Sequence, residues 1–123
     1  MRGTDSAYLF AKKYNVKTAF GTDCLFQPKH AASRAGDLTK LLKWYTSYEI
    51  LKMATSTNAQ LLAMSGPRNP YPNKLGVVEE GAYADILMID GNPLVNLKIL
   101  EDYDKSILLI IKDGVIYKNT ISK

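Results

Sequence analysis

The sequence predicts a mixed α/β fold, and three observations predict it. Apolar residues recur at helical spacing near the start of the chain and again between about residues 31 and 64. A short β-prone run, "VKTAFG", separates the two helical stretches. From Leu75 onward the pattern becomes extended and closes on two β-prone runs joined by Asp113-Gly114. An order of helix, strand, helices and then strands fits an α/β arrangement better than a bundle or a pure sandwich. With 123 residues and 46% hydrophobic content, the chain can bury one core of ordinary size.

The first segment, "DSAYLFAKKYN", reads as a helix capped by Asp5. Ala7, Leu9, Phe10, Ala11 and Tyr14 form its apolar side, Lys12 and Lys13 face solvent, and Asn15 ends it. "VKTAFG" alternates Val16, Thr18 and Phe20 against Lys17, Ala19 and Gly21, which predicts a strand with Asp23 just beyond its C-terminal end. A helix is expected from about Ala31 to Trp44, where Leu38, Leu41, Leu42 and Tyr45 share a face and Gly36 weakens the start. Thr46 and Glu49 have capping-box spacing, so another helix should begin there and bury Ile50, Leu51, Met53 and Ala54. A further short helix is expected to start within Thr55 to Asn58 and to stop near Met64, ahead of Gly66 and Pro67.

"GPRNPYPNKLG" has the Pro, Gly and Asn content of a loop connecting two layers. After it, strands are expected at Val77–Val78 and over Asp85 to Ile89, with a turn at Glu80 and Gly81 between them and "DGNP" as the stop. The Asp113-Gly114 pair predicts a tight hairpin, since such a dipeptide adopts the positive φ angles the turn requires. The nearly unbroken apolarity of Ile107 to Ile111 predicts a strand covered on both faces.

Composition removes several function classes. The net charge is +4 and the pI about 9.1, but lysines are interleaved with acids and form no basic block. The eight tyrosines fall in different elements without an RNA-binding signature, so no nucleic-acid partner is expected. Cys24 is the only cysteine, which excludes an internal disulfide. No apolar run approaches the roughly 20 residues of a membrane helix. "MRGTDSAYLF" lacks the apolar centre of a signal peptide, so the expectation is a soluble, cytoplasmic chain without a membrane partner. Gly21 belongs to no Gly-x-Gly-x-x-Gly pattern and reads as a close-approach position, not a phosphate cradle.

"VKTAFGTD", "YEILKMATSTNAQLL", "GVVEEGAYADILMIDGNPL" and "LIIKDGVIY" occur in an order and at a spacing that resemble the C-terminal part of the metal-dependent amidohydrolases. The branch related to imidazolonepropionase and Xaa-Pro dipeptidase is the most similar, and the likeness runs from about Asp5 to Asn119. The resemblance implies an α/β fold made of the C-terminal portion of a metal-dependent TIM-type barrel plus strands of a small β-sandwich. Residues 1–66 would be the last helix–strand unit and closing helices of the barrel, 67–74 a linker loop, and 75–123 strands of the sandwich.

It also implies a role for Asp23 as metal ligand and proton shuttle in hydrolysis of a C–N bond in an amide, cyclic amide or dipeptide. Such a carboxylate belongs beside a metal-activated water, because it can take the water's proton and hand it to the leaving nitrogen. Barrel sites also gather at the C-terminal ends of strands. Read from the residues alone, Asp23 is a turn or helix-cap residue; the resemblance favours the functional reading.

The implied metal is divalent, zinc by default, yet the family's early His-x-His pair, its lysine and its further histidines have no counterpart here. His30, the one histidine, matches none of the family's ligand positions, and catalytic zinc generally takes about three protein ligands. A whole barrel needs roughly 250 residues, so the chain is expected to be a fragment. Its partner would be the N-terminal remainder of the hydrolase or further copies of itself, and the substrate a small amide or peptide. A Cys24–His30 thiol nucleophile is not supported, because proximity in sequence supplies neither a lowered thiol pKa nor a base within reach. Asp85 and Asp90, flanking "ADILMID", are expected to serve in turns and strand edges.

Overall fold

The computed structural model describes residues 3–23 and 33–121. Helix α1 (Gly3–Lys13) places Lys12 and Lys13 in its last turn, where they oppose the negative end of the helix dipole. It begins two residues before Asp5, which corrects the expectation of a cap at that position. The Asp5 carboxylate instead reaches across the chain, accepting from the Trp44 indole N–H at 3.1 Å and from Lys43 Nζ at 2.5 Å. Asn15 ends the helix as expected, in a left-handed conformation with φ of 50°.

Residues 16–23 correct a second expectation, since they pair with no strand among the described residues. Their alternation survives in part: Val16, expected on the inward side, is exposed, but Thr18, Phe20 and Thr22 are half-buried while Lys17, Ala19, Gly21 and Asp23 are exposed. A lone β-prone run has no ladder to join, and no closed barrel forms among the described residues.

Helix α2 (Arg34–Asp37) passes directly into a 3₁₀ helix (Leu38–Lys43); Ala31, the expected start, lies outside the described residues. Helix α3 (Ser47–Lys52) opens on the expected capping box. The Thr46 hydroxyl accepts from the Glu49 N–H at 3.3 Å, and the Thr46 N–H donates to Glu49 Oε2 at 2.7 Å. The two helices expected on either side of Thr55 are in fact one continuous run. A π-helical turn (Met53–Thr57) carries α3 straight into α4 (Asn58–Ala63).

The core sits between that run and a 3₁₀ helix (Leu97–Asp102). Leu41, Tyr45, Ile50 and Met53 meet Leu97 and Leu100, and Ile50 and Leu97 are 0% and 1% exposed. Tyr8 closes the α1 side, its ring 4.5 Å from that of Trp44 and edge-on to that of Tyr45 at 5.6 Å.

The remaining layer is one antiparallel sheet ordered β1 (Ile86–Ile89), β2 (Ile107–Lys112), β3 (Val115–Asn119), with a short helix α5 (Tyr103–Ser106) leading into β2. Asp113 and Gly114 turn the hairpin with φ of 49° and 77°, as their identities predict. Asp85 ties this turn to β1, accepting from the Asp113 N–H at 2.7 Å and from Lys112 Nζ at 3.2 Å. These bonds, the Asp113 N–H first, hold the Asp85 carboxyl below its ordinary value. Asp90 donates its backbone N–H to the Ser106 carbonyl. Both aspartates thus serve at turns and strand edges, as the sequence suggests.

Three expectations about the sheet change. Of β2 only Ile107 is buried; Leu108 to Ile111 are half-buried, because no second sheet covers them among the described residues. The expected sandwich is therefore represented by a single sheet. Val77 and Val78 form no strand; nearby, an isolated parallel bridge joins Lys74 to Ala82. Gly76, at φ of 72°, presses its backbone against the π turn, where an added Cβ would lie 2.6 Å from the Thr55 carbonyl carbon and oxygen. Among the described residues no helix is long and apolar enough to cross a membrane.

Two predictions arise from these contacts. Gly76→Ala combines a left-handed φ with a backbone clash and should destabilise the chain by about 2–4 kcal/mol, measured by urea unfolding. Thr46→Ala should cost about 1 kcal/mol at neutral pH through loss of the cap. The Thr46 N–H, with smaller help from its hydroxyl and from Lys12, holds the Glu49 carboxyl below its ordinary value of 4.5. A lowered carboxylate pKa stabilises above the unfolded value, and that stability is lost as pH falls through the folded value. Unfolding followed from pH 7 downward should show this loss below about 4.5 in the wild type and a smaller loss in Glu49→Gln.

Candidate functional site

The candidate site lies at the end of the extended segment, which residues of one helical run hold in place. Asn58, at the start of α4, uses both halves of its side-chain amide on one residue. Its Oδ1 accepts from the Phe20 N–H at 2.9 Å, and its Nδ2 donates to the Phe20 carbonyl at 3.0 Å. Two residues further on, Gln60 accepts from Lys17 Nζ at 2.9 Å. Residues 18–22 line a half-open cleft of about 230 Å³ together with Tyr8, Trp44 and Met53. An ion pair between Asp37 and Lys40, at 2.5 Å, stands at the edge of the same cleft.

Asp23 directly follows these residues. It is exposed and left-handed, with φ of 48°, a conformation that aspartate tolerates better than most residues. Cys24 and His30 lie outside the described residues. Among the described residues no three His, Cys, Asp or Glu side chains stand close enough together to hold a metal ion. A single carboxylate does not make a catalytic zinc site, so these residues do not fit the metal by themselves.

Two other features carry polar groups without forming an evident catalytic arrangement. A half-open cavity of about 290 Å³ lies between α4 and the following loop, lined by Gln60, Asn69, Tyr71, Asn73 and Glu79 among others. The hydroxyls of Tyr45 and Ser106 are buried with no partner among the described residues.

Asn58 is the residue that spacing and periodicity did not single out. A signal was present, because asparagine favours turns and caps over helix interiors, yet here it follows Thr55, Ser56 and Thr57 within one continuous helical run. Only the tertiary contact shows what the amide does.

No protein-family model matches the sequence, and no curated protein matches it. Solved structures do. An amidohydrolase is 30% identical with a TM-score of 0.79, over 95% of this chain and 26% of its own. A prolidase complexed with N-methylphosphonate-L-proline is 26% identical with a TM-score of 0.76, over 93% of this chain and 26% of its own. A Xaa-Pro dipeptidase with methionine bound in the active site is 27% identical with a TM-score of 0.73, over 93% of this chain and 25% of its own. The chain thus has a family-level match to the amidohydrolase, prolidase and Xaa-Pro dipeptidase structural family. It is a small mixed α/β unit related to that superfamily, and it spans about a quarter of the length of the structures it matches.

Proposed function

We propose that this chain, taken by itself, is a non-catalytic structural and interaction module of the amidohydrolase fold that associates through surface its own residues leave uncovered. The observation that carries this reading is the donor set: the described residues bring no three metal-ligating side chains together. Their apolar surface supports it as well. Leu87 and Met88 on β1, and Val115, Ile116 and Tyr117 on β3, are all exposed, and β1 and β3 are the two open edges of the sheet. Leu9 and Phe10 on α1, and Tyr14 just beyond its end, are exposed likewise. Unpaired edges and contiguous apolar faces favour association. Light scattering on the purified chain should show a dimer or larger species that Ile116→Lys shifts toward monomer. A compact wild-type monomer at high concentration would refute self-association.

The structural match favours a second reading, in which the module contributes Asp23 to a larger hydrolase. On this reading residues 1–66 belong to the barrel, 67–74 form the linker and 75–123 belong to the sandwich. The reaction would be metal-dependent hydrolysis of a C–N bond in a small amide, cyclic amide or dipeptide, with zinc the proposed metal. The prolidase and Xaa-Pro dipeptidase matches direct the choice toward dipeptides. Further ligands must come from outside the described residues. What this chain offers is the exposed Asp23 carboxylate, and general acid–base catalysis by such a group contributes about 10²–10⁴-fold. Co-expression with the N-terminal part of a related hydrolase should restore zinc-dependent dipeptide cleavage. Asp23→Asn should then lower the rate by about 10²-fold or more, and an unchanged rate would remove Asp23 from the reaction.

A further inference from the structure

Residues 16–23 pose a physical problem, because they carry the backbone groups of a strand and have no strand beside them among the described residues. Such a segment explores many conformations unless something fixes it, and a carboxylate at its end would share that freedom. The described side-chain contacts that fix it come from one helical run. Gln60 holds the Lys17 ammonium at the near end, and Asn58 holds Phe20, three residues before Asp23.

The two contacts differ in kind. Lys17 is tethered by the tip of a flexible side chain. Phe20 is gripped by its backbone, with donor and acceptor both engaged by one planar amide. Two bonds to the same residue fix the twist of the backbone as well as its position, as a neighbouring strand does through a hydrogen-bonded pair. The orientation of the amide is also determined, since exchanging its oxygen and nitrogen would set donor against donor and acceptor against acceptor.

The aim of Asn58 depends on the π turn that precedes it. One extra residue in a helix rotates everything after it by about 100° relative to a regular α-helix. The turn at Met53–Thr57 is seated by the burial of Met53 and Thr57 and by the Gly76 backbone on its outer side. The helical irregularity, the close glycine contact and the paired hydrogen bonds thus converge on one residue.

We infer that Asn58 is a positioning residue: its side-chain amide engages both backbone groups of Phe20, which pairs with no strand among the described residues, and thereby sets the direction in which the chain presents Asp23. The consequence for hydrolysis rests on the second reading above, whereas the positioning itself does not.

The test uses the 123-residue chain with isotope labels and reads individual amides by NMR. In Asn58→Ala the Phe20 amide should exchange about tenfold faster or more, and the Asp23 carboxyl and amide resonances should move. The Glu49 amide in the capping box should keep its protection, which reports that α3 remains folded. Asn58→Asp retains the acceptor and loses the donor, so Phe20 N–H protection should largely return. Unchanged Phe20 exchange and unchanged Asp23 resonances in a folded Asn58→Ala chain would overturn the inference. If the alanine variant unfolds, the aspartate variant decides: protected Phe20 supports the role, and Phe20 exchange as fast as its exposed neighbours overturns it.

A second measurement separates this inference from the hydrolase reading. In the co-expressed enzyme, Asn58→Ala should lower kcat with little change in KM, and Asn58→Asp should recover part of it. Loss of Phe20 protection together with an activity indifferent to Asp23→Asn would leave the positioning role standing and remove the hydrolase reading. An activity that depends on Asp23 while Phe20 ignores Asn58 would do the reverse.

Discussion

The packing of Leu41, Tyr45, Ile50 and Met53 with Leu97 and Leu100 is the constraint on which the rest depends, because this one cluster joins the helical half to the residues around the sheet. Ile50 and Leu97 are the two largest fully buried side chains. Burying an aliphatic side chain of this size contributes about 1.5–3 kcal/mol, and so small a core leaves little margin. Tyr45 and Leu41 extend the cluster toward α1, where Tyr8 stacks on Trp44 and the indole N–H finds Asp5. Once Leu97 is seated, the chain leading into β2 is anchored and the sheet has a base to grow from.

The π turn follows from the same constraint. Met53 and Thr57 are both buried and lie within it, so the helix admits an extra residue and keeps both seated. That extra residue rotates α4 and brings Asn58 to Phe20. Gly76 completes the arrangement from outside, at a distance no Cβ would allow. Packing, helical irregularity and the placement of Asp23 are therefore linked through consecutive residues of one helical run.

The surface is also a consequence of what the core does not cover. β2 has a partner on each side, yet Leu108 to Ile111 remain half-buried, and β3 is largely exposed, Tyr117 at 71%. A sheet this apolar normally packs on a second layer, and an extended segment this regular normally joins a ladder. The match to about a quarter of several larger hydrolases is consistent with both features.

What the sequence by itself determined is local. The capping box at Thr46 and Glu49, the left-handed stop at Asn15 and the Asp113-Gly114 hairpin rest on residues close together in the chain or on backbone preferences of one or two side chains. The likeness to amidohydrolases was legible for a similar reason, as the order of short motifs survives in the sequence. The tertiary structure decided everything that needed a distant partner. "VKTAFG" kept part of the alternation of a strand but not the ladder, because pairing is a property of two segments. Asp5 went to Trp44, a π turn fused two expected helices, and Asn58 came to hold Phe20 across 38 positions of sequence, a contact that no local periodicity encodes.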